Sequence, residues 1–488
     1  MKVPSRLIRA ARFALIGLGA GLGLAACSAA TPHAVGAFSA SSITPAHRAF
    51  ADSLERRTFA FFWDQADPVT GLMPDRWPTR SFISVAATGF ALTAYPIGAE
   101  RRWVTREQAA TRALRTLEFF WNSRQDTAYA GSTGYKGFFF HFLHPGSGTR
   151  FENVELSNVD TGLFLFGALF CQSYFSRGNA TERQIRRLTD SLVVRADWKW
   201  MQVRPPLLSL GWKPREGFLP YDWRGYNETL FMHLLALGSP RHAVGGDTWR
   251  SWTDGYKWGT FYGQEYLGFA PMFGHQYSHV WIDFRGIQDD YMRAKGIDYF
   301  ENSRRATLAQ RAYAIANPSG FKGYDALVWG LTACDGPLDG KVTLDGRERE
   351  FHTYDARGAD HTRIGDDGTI SPTAAGGSVA FAPEVCLPAL YAMRERYGEH
   401  VFRQYGFIDA FNPTLDVATD THHGKVVPGV GWFDSDYLGI DQGPVLAMLE
   451  NWRSGLVWRV MRDNPHLKRG LLRAGFRGGW LAGEAGAK

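Results

Sequence analysis

Carboxylates recur in this chain at the start of apolar, helix-like runs, each just after a loop rich in glycine and aromatic residues. The clearest cases are Glu228 in GFLPYDWRGYNETLFMHLLALGSP and Asp441 in GWFDSDYLGIDQGPVLAMLENWRSGL, and weaker ones are Glu155, Asp160 and Glu384. Two carboxyl groups flanking a glycosidic bond are the usual apparatus for hydrolysing it. The pattern therefore predicts carbohydrate-cleaving chemistry, with the alternative that Glu155, Asp160 and Glu384 only cap their helices.

Glu228 is the candidate for the acid of such a pair. It follows Trp223 and Tyr226, whose rings can exclude water from the carboxyl group and keep it protonated near neutral pH by raising its pKa. The candidates for the base crowd one loop: Asp434, Asp436 and Asp441. If the reaction inverts the anomeric carbon, the acid and the base should stand roughly 6.5–9.5 Å apart, with room for a water.

Aromatic residues make up 14% of the chain, with 17 Trp, which is more than core packing normally needs. Flat aromatic rings stack on the apolar faces of sugars, so the excess fits a carbohydrate binder, although a large aromatic core would use the same residues. The stacking candidates are Trp281, Tyr324, Trp329 and Trp432, with Tyr226 as a further binding residue.

His275, His279 and Asp283 form an H-x3-H-x3-D pattern that a zinc site on one helix face would also show. The aromatic neighbours, and the lack of an HExxH motif or a cysteine ligand, favour hydrogen bonding to sugar hydroxyls instead. We therefore expect no metal and no cofactor. Asp160 and Asp335 are further candidate acceptors for sugar hydroxyls.

The amino-acid composition limits the classes of partner that the protein can have. The chain has 488 residues, 45% of them hydrophobic and 21% charged, which is typical of a globular protein with a large core. Its net charge of +6 is modest and contains no dense Lys/Arg block with interleaved aromatic residues. This argues against nucleic acid as a partner.

The N-terminus reads as a targeting segment. Basic residues precede the apolar run FALIGLGAGLGLAA, and Leu24-Ala25-Ala26-Cys27 resembles a bacterial lipobox, which implies cleavage before Cys27 and lipidation of its thiol. Ser28 favours the outer membrane on the same resemblance, and an ordinary secretory signal is the alternative. The three other cysteines, Cys171, Cys334 and Cys386, are expected to be buried thiols, with room for one disulfide.

Four segments follow from this reading: a signal peptide at 1–27, a small-residue tether at 28–45, one catalytic domain at 46–470, and a basic, Gly-rich tail at 471–488. Helical spacing is clear from His47 to Asp64, and a capping box at Thr105–Gln108 opens another helix. Further helices are predicted at 158–176, 180–198, 228–238, 302–316, 384–397 and 442–462, and strand signals are few.

The pattern of a Gly- and aromatic-rich loop, a carboxylate and an apolar helix recurs along the chain. The intervals between its occurrences suit a two-helix hairpin as the repeated unit. A ring of such hairpins is an all-α barrel, in which the N-terminal ends of the buried inner helices point to one mouth and favour carboxylates there. The polar insertion at 336–378 is rich in Gly, Asp and Thr and is expected to be a functional loop or lid.

Several long motifs in order resemble the bacterial glucoamylase-like family, whose characterised members are β-1,2-glucanases of glycoside hydrolase family 144. They are FGHQYSHVWIDFRG, DYFENSRRATLAQRAYAIANP, GYDALVWGLTACDGP, DGTISPTAAGGSVAFAPE and YLGIDQGPVLAMLENWRSGLVW. The resemblance runs from about residue 50 to 465. It implies an (α/α)6 toroid and inverting hydrolysis of β-1,2-glucan to sophorose or longer sophorooligosaccharides. It also implies Glu228 as the acid and favours Asp441 as the base, in a Gly-Ile-Asp-Gln-Gly-Pro motif.

We accordingly expect a monomeric, lipid-anchored or periplasmic glycoside hydrolase whose partner is an oligo- or polysaccharide. Two alternatives stay open. One is a transglycosylase or a hydrolase of another β-glucan or surface polysaccharide, because a fold and an acid pair can be shared while pocket contacts differ. The other is a glycan-binding surface lipoprotein without catalysis. Endo and exo cleavage are not distinguished by the sequence.

Overall fold

The computed structural model describes residues 43–483. The predicted signal peptide, the lipidation site at Cys27 and nearly all of the tether lie outside the described residues, as do the last five residues of the tail. Most of the regular structure in the described part is helical, as predicted. The helices are α1 Pro45–Gln65, α2 Val85–Glu100, α3 Arg106–Asn122, α4 Asn158–Tyr174, α5 Ala180–Arg195, α6 Leu230–Gly238, α7 Gly246–Thr253, α8 Phe273–Trp281, α9 Asp290–Lys295, α10 Tyr299–Ala316, α11 Pro372–Gly376, α12 Pro383–Tyr397, α13 Gly439–Ser454, α14 Leu456–Met461 and α15 Pro465–Arg473.

The helix boundaries follow local chemistry. Thr105 caps α3 by accepting a hydrogen bond from the backbone of Gln108, whose side chain returns one to the backbone of Thr105, which is the predicted capping box. The predicted helix at 442–462 is instead two helices, because Gly455 takes a left-handed conformation between α13 and α14.

Helices α2, α4, α6 and α13 are buried on nearly every face, whereas α3 and α5 bury one stripe. The buried helices are neighbours: α2 packs against α4 and α13, α4 against α6, α6 against α8, and α8 against α13. The striped helices pack outside them, with α3 on α2 and α5 and with α1 on α2 and α13.

Glycine allows the closest of these contacts. A Cβ atom on Gly167 of α4 would lie 2.1 Å from the carbonyl oxygen of Gly89 on α2, and one on Gly89 would lie 2.5 Å from the carbonyl oxygen of Leu163. Only residues without a side chain let the two backbones approach this far.

Short strands connect the helices. They are β1 Arg76–Trp77, β2 Ile83–Ser84, β3 Gly134–Tyr135, β4 Phe138–Phe140, β5 Phe142–Leu143, β6 Leu156–Ser157, β7 Gly211–Lys213, β8 Gly217–Phe218, β9 Trp258–Phe261, β10 Gln264–Leu267, β11 Ala333–Asp335, β12 Gly340–Leu344, β13 Arg347–Phe351, β14 Tyr354–Ala356, β15 Gly358–Ala359, β16 Ile364–Gly365, β17 Phe402–Arg403, β18 Gly406–Phe407, β19 Phe411–Asn412, β20 Lys425–Val427, β21 Gly431–Phe433 and β22 Tyr437–Leu438. There are more strands than the few strand signals indicated, because most of the strands have only two or three residues and are too short to show an alternating pattern.

All of the strand pairs are antiparallel. The largest sheet has the order β3-β4-β6-β7-β8, a second has the order β19-β21-β20, and the others have two strands. Two pairings bear on the site. Strand β6 leads directly into α4, and β22, which leads into α13, pairs with β1 so that Arg76 lies opposite Leu438.

The predicted insertion at 336–378 is ordered around short hairpins. β12 pairs with β13, and Leu344 and Phe351 from this hairpin pack with Trp432 and Cys334 in a small separate apolar cluster. The insertion is therefore anchored to the body at its base.

The predicted tail boundary at residue 470 falls inside α15. Phe476 and Leu481 beyond it are buried, and the ring of Phe476 packs against Phe284 and Tyr299. Residues 471–481 thus belong to the body, because their apolar side chains complete its core.

Cys171, Cys334 and Cys386 are buried free thiols, as expected, and they form no disulfide. None of the helices between residues 43 and 483 is both long enough and apolar enough to cross a bilayer.

Candidate active site

Glu228 lies two residues before α6, in a turn fixed by its neighbours. The backbone N–H and the hydroxyl of Thr229 both donate to Oδ1 of Asn227, at 3.0 and 2.6 Å. From α8, the Ser278 hydroxyl donates to the Glu228 carbonyl at 3.3 Å and accepts from the Phe231 N–H at 3.0 Å. These hydrogen bonds fix the backbone of Glu228 at the N-terminal end of α6.

The carboxyl group of Glu228 changes its protonation state near neutral pH. Burial raises its pKa to about 7, and the negative charge of Asp160 contributes in the same direction. A carboxyl group that is still protonated near pH 7 can donate its proton to a leaving group.

Asp160, the third residue of α4, lies beside a half-buried histidine, His141. Ser157 caps α4 by accepting from the Asp160 N–H at 3.2 Å, and its hydroxyl donates to the Asp160 carboxylate. Nδ1 of His141 is 2.8 Å from Oε1 of Glu155, and Nε2 is 3.6 Å from Oδ2 of Asp160. Burial alone would lower the pKa of His141, but the charges of Asp160 and Glu155 raise it to about 9. His141 is therefore a cation bridging two predicted site residues.

Asp441 is the third residue of α13, and its side chain is 4% exposed. The Thr373 hydroxyl donates to the Asp441 carbonyl at 2.9 Å and so ties the start of α13 to α11. Burial raises the pKa of the Asp441 carboxyl group, and the neighbouring Asp409 carboxyl group offsets part of that rise.

Tyr277 of α8 joins these acids into one site. Burial raises the pKa of its phenol well above the usual value, and the charges of Asp441, Glu228 and Asp160 raise it further. Tyr277 therefore lies within electrostatic reach of all three, including the predicted acid and the favoured base. Its ring is held edge-on by Phe90.

A buried carboxylate cluster adjoins Asp441. Arg76 of β1 contacts Asp335 at 2.5 Å, Asp75 at 3.3 Å and Asp436 at 3.6 Å. The Thr79 N–H donates to Asp436 Oδ1 at 3.0 Å, and the Ser435 N–H donates to Asp434 Oδ1 at 2.7 Å. Asp434 and Asp436 are fully enclosed. Of the three base candidates, Asp441 is the one whose charge, like that of Glu228, is a leading cause of the raised pKa of Tyr277.

The predicted stacking residues are core residues instead. Trp281, Trp329 and Trp432 are fully buried, and Trp281 lies between Phe90 and Phe166 while its Nε1 donates to Thr93. These three rings have no free face for a sugar, and the prediction for them is corrected. Composition counts aromatic residues, but it does not tell which faces packing leaves open.

The side chains of Tyr324 and Tyr226 also make contacts with other residues of the protein. The Tyr324 hydroxyl donates to Asp366 at 2.7 Å, beneath Phe321. The Tyr226 ring stacks on Tyr299 and contacts His275. Both side chains are therefore engaged in contacts within the protein body.

The H-x3-H-x3-D residues do not converge. His275 Nε2 lies 3.0 Å from the Phe269 carbonyl, and His279 Nε2 lies 3.1 Å from the Ser303 hydroxyl. Asp283 is paired with Arg285 and Arg462. Burial lowers the pKa of each histidine to about 3, so both are neutral core residues. The prediction that His275 and Asp283 bind substrate is corrected.

Glu384 is the second residue of α12, and its carboxylate forms an ion pair with Arg304 at 2.6 Å. Gly439 and Gly443 do not leave space for a sugar. A Cβ atom on them would meet Ala87 at 2.6 Å and Phe90 at 2.1 Å, so both serve the packing of α13 on α2.

Sequence reasoning missed four members of the site: His141, Asp75, Arg76 and Asp409. Each stands outside an apolar helical run, in a loop or a two-residue strand. The only available signal was a buried-charge pattern, Asp75-Arg76, which has no meaning until the fold brings Asp335 and Asp436 beside it.

A family model described as "Putative glucoamylase" matches residues 220–465, which is half of the chain. This chain belongs to the Glycoamylase family. The matched segment of this Glycoamylase protein contains Glu228, Asp335 and Asp441 and leaves out Asp75, Arg76, His141 and Asp160.

Named relatives of this Glycoamylase protein act on β-1,2-glucans. It is 26% identical over 456 residues to the "Exo beta-1,2-glucooligosaccharide sophorohydrolase (non-reducing end)" of Parabacteroides distasonis, covering 86% of this chain and 57% of that protein. The chain thus spans little more than half the length of that relative.

Solved structures agree over nearly the whole body. A Bacteroides uniformis protein, described in the same words as the family model, is 30% identical with a TM-score of 0.75 and covers 89% of this chain and 98% of its own. An endo-beta-1,2-glucanase from Chitinophaga pinensis, solved with sophorotriose and glucose, is 27% identical with a TM-score of 0.75 and covers 89% and 99%.

Proposed function

We propose that this protein hydrolyses β-1,2-linked glucan to sophorose or sophorooligosaccharides, with Glu228 as general acid and Asp441 as general base. The observation that carries the proposal is the position of Glu228. Its carboxyl group has a pKa of about 7, and its charge and that of Asp441 both raise the pKa of Tyr277. Two carboxyl groups, one of them protonated near neutrality, are what glycoside hydrolysis needs.

In the proposed reaction Glu228 gives its proton to the glycosidic oxygen as the bond from that oxygen to the anomeric carbon breaks. A water attacks the anomeric carbon from the opposite face, and Asp441 takes its proton, directly or through a sugar hydroxyl. The configuration of the anomeric carbon is inverted. His141 balances the charge of Asp160 and so tempers the repulsion between Asp160 and Glu228.

The names of the relatives support the substrate. The Parabacteroides distasonis relative is a sophorohydrolase, and the Chitinophaga pinensis neighbour is an endo-β-1,2-glucanase bound to sophorotriose. One acts as an exo enzyme and the other as an endo enzyme, so both product patterns occur among proteins similar to this chain. The products therefore have to be measured for this protein itself.

The test is incubation of the chain from residue 28 onward with linear β-1,2-glucan, beside β-1,3-, β-1,4- and α-1,4-glucans, with products resolved over time. Products from the β-1,2 substrate alone support the proposal. Sophorose alone indicates exo cleavage, and mixed lengths indicate endo cleavage. Cleavage of another glucan only, or of none, refutes the substrate.

We further propose that the buried helices and their outer partners form an (α/α)6 toroid that makes up one catalytic domain. The neighbour relations α13–α2–α4–α6–α8 support a ring. Three hydrogen bonds from Gln276 of α8 to Thr373, Ala374 and Ser378 supply the link through α11, which also packs on α13. An experimental structure would test the closure.

We also propose that the protein is exported and anchored to the outer membrane through a lipid on Cys27, and that it is a monomer. The lipobox-like Leu24-Ala25-Ala26-Cys27 supports the anchor. Metabolic labelling with a fatty acid, compared with a Cys27→Ser variant, tests lipidation. Light scattering of the chain from residue 28 tests the oligomeric state.

A further inference from the structure

We propose that Asp335, Asp409 and Asp434 form a binding site for one hard divalent cation, Ca²⁺ in particular, beside the candidate active site. The inference goes beyond the proposed function and does not depend on it, because it concerns binding of an ion rather than turnover of a glucan.

The three carboxyl groups lie close enough together to bind one ion. One carboxylate oxygen from each of the three residues lies within 4.8 Å of the other two. Ca²⁺ binds oxygen at about 2.4 Å, so two oxygens on opposite sides of one ion stand about 4.8 Å apart. The three side chains come from β11, from the turn before β19 and from the turn after β21, and they are 1%, 2% and 0% exposed.

Two of the three carboxylates keep one oxygen without a hydrogen-bond donor. Asp409 Oδ2 accepts the Asp335 N–H at 2.7 Å, which fixes the side chain, whereas its Oδ1 has no donor among residues 43–483. Asp434 is arranged in the same way, with Oδ1 held by the Ser435 N–H and Oδ2 without a donor in the same range. A buried carboxylate oxygen without a hydrogen-bond donor is destabilising when the group is ionised, and a cation bound between the two oxygens would remove that cost.

Arg76 is a nearby protein cation, and it offsets the negative charge of this cluster only in part. The guanidinium of Arg76 is already shared by Asp75, Asp335 and Asp436, while Asp409 and Asp434 have no ion pair with any Lys, Arg or His of the described chain. Asp335 uses Oδ2 for Arg76 at 2.5 Å, whereas its Oδ1 lies 3.5 Å from the guanidinium and is the freer ligand atom.

The donor set favours Ca²⁺. All three ligands are oxygens, which suits hard cations, and the site is buried, which suits an ion that accepts protein oxygens in flexible geometry better than Mg²⁺, which keeps several waters. A second set, Asp335, His423 and Asp436, contains an imidazole and would suit Zn²⁺. Arg76 lies against both aspartates of that set, so an ion there would face a neighbouring positive charge.

The test uses the chain from residue 28, stripped with EDTA and dialysed. We expect Ca²⁺ to raise the Tm by several degrees at millimolar concentration or below, Mg²⁺ to act more weakly, and elemental analysis to find about one calcium per chain. Asp434→Asn should abolish the Ca²⁺ shift. The matched control is Asp345→Asn, whose side chain is 71% exposed and which should keep it.

Three outcomes would overturn the proposal. They are a wild-type protein that binds no Ca²⁺ by calorimetry and shows no Tm shift, an Asp434→Asn protein that keeps the full shift, and a response to Zn²⁺ alone. The last result would assign the ion to the set containing His423. If Asp434→Asn does not fold, Asp409→Asn and the calcium content of the wild-type protein still decide the question. None of these readouts uses glucan cleavage.

Discussion

The carboxyl groups of Glu228 and Asp160 stand at the N-terminal ends of two adjacent helices, α6 and α4, close enough for the charge of one to raise the pKa of the other. The N-terminal ends of α6 and α4 thus bring two acidic side chains, which carry the same charge when ionised, close together. The arrangement is costly for folding, and it keeps a proton on Glu228 at a pH where an ordinary glutamate has lost it.

Glu228→Gln should abolish glucan cleavage, lowering kcat at least about 10³-fold, because the amide cannot donate a proton to the leaving oxygen. The measurement is product formation from β-1,2-glucan. Glu384→Gln is the matched control and should stay within about threefold of wild type, since Glu384 pairs with Arg304. Near-normal turnover by Glu228→Gln would exclude it as the acid.

The pH profile should lose activity on the alkaline side near pH 7, as Glu228 loses its proton. Asp160→Asn removes a charge that raises this pKa, so the alkaline limb should move to lower pH. The readout is the midpoint of kcat/KM against pH, which a general loss of activity does not move. A limb that moves upward, or stays fixed, contradicts the coupling between the two groups.

Glu228→Gln should also change how stability depends on pH. The folded pKa of about 7 lies above the ordinary value of 4.5, so the folded wild type binds more protons between these values and loses stability as pH rises through them. The glutamine variant lacks this loss. Its advantage over wild type should grow between pH 4.5 and 7 to at most about 3 kcal/mol, before any discount for the partial exposure of Glu228, and then level off. Denaturant unfolding at several pH values would measure it, and parallel curves would refute it.

Gly167→Ala should destabilise the protein by about 1–3 kcal/mol, because the new Cβ would lie 2.1 Å from the carbonyl oxygen of Gly89. Gly178→Ala is the control, since a Cβ there meets nothing within 4 Å. The measurement is the midpoint of denaturant unfolding. Equal midpoints for the two variants would show that α2 and α4 can move apart without cost.

Trp281→Phe should lower stability by about 1–3 kcal/mol and leave the KM for glucan unchanged, since the indole is enclosed and donates to Thr93. Trp121→Phe, at a ring that is 38% exposed, should be close to neutral. A KM that rises severalfold with stability intact would restore Trp281 as a sugar-stacking residue.

Local patterns in the sequence were enough to find most helices and the ends that carry Glu228, Asp160 and Asp441. Apolar periodicity and capping residues act within one turn of the chain, and they are therefore readable. The side chains that complete the site cannot be found from such local patterns. Arg76 meets Asp335 across 259 positions, and nothing near Arg76 records that partner.

The roles of the aromatic residues, too, depend on distant partners that the local sequence does not show. An abundance of Trp indicates either a sugar platform or a large core, and only packing decides between them. Here Phe90, Phe166 and Phe231 surround Trp281, so the ring is used internally. His275 and Asp283 were misread for a similar reason, because partners from other elements, the Phe269 carbonyl and Arg462, satisfy them.

The pairing of β1 with β22 joins the two ends of the body. Thr79 and Asp436, linked by a hydrogen bond, are 357 positions apart in the chain, and α2 buries one flank against α13. During synthesis the face of α2 that packs on α13 therefore stays exposed to solvent until almost the whole body has been made. A high proportion of such distant contacts slows folding, so the emerging chain is exposed to aggregation for longer than a bundle of sequential hairpins would be. A chain truncated before α13 should accordingly fail to reach a soluble native state, even though it retains Glu228 and the helix that follows it.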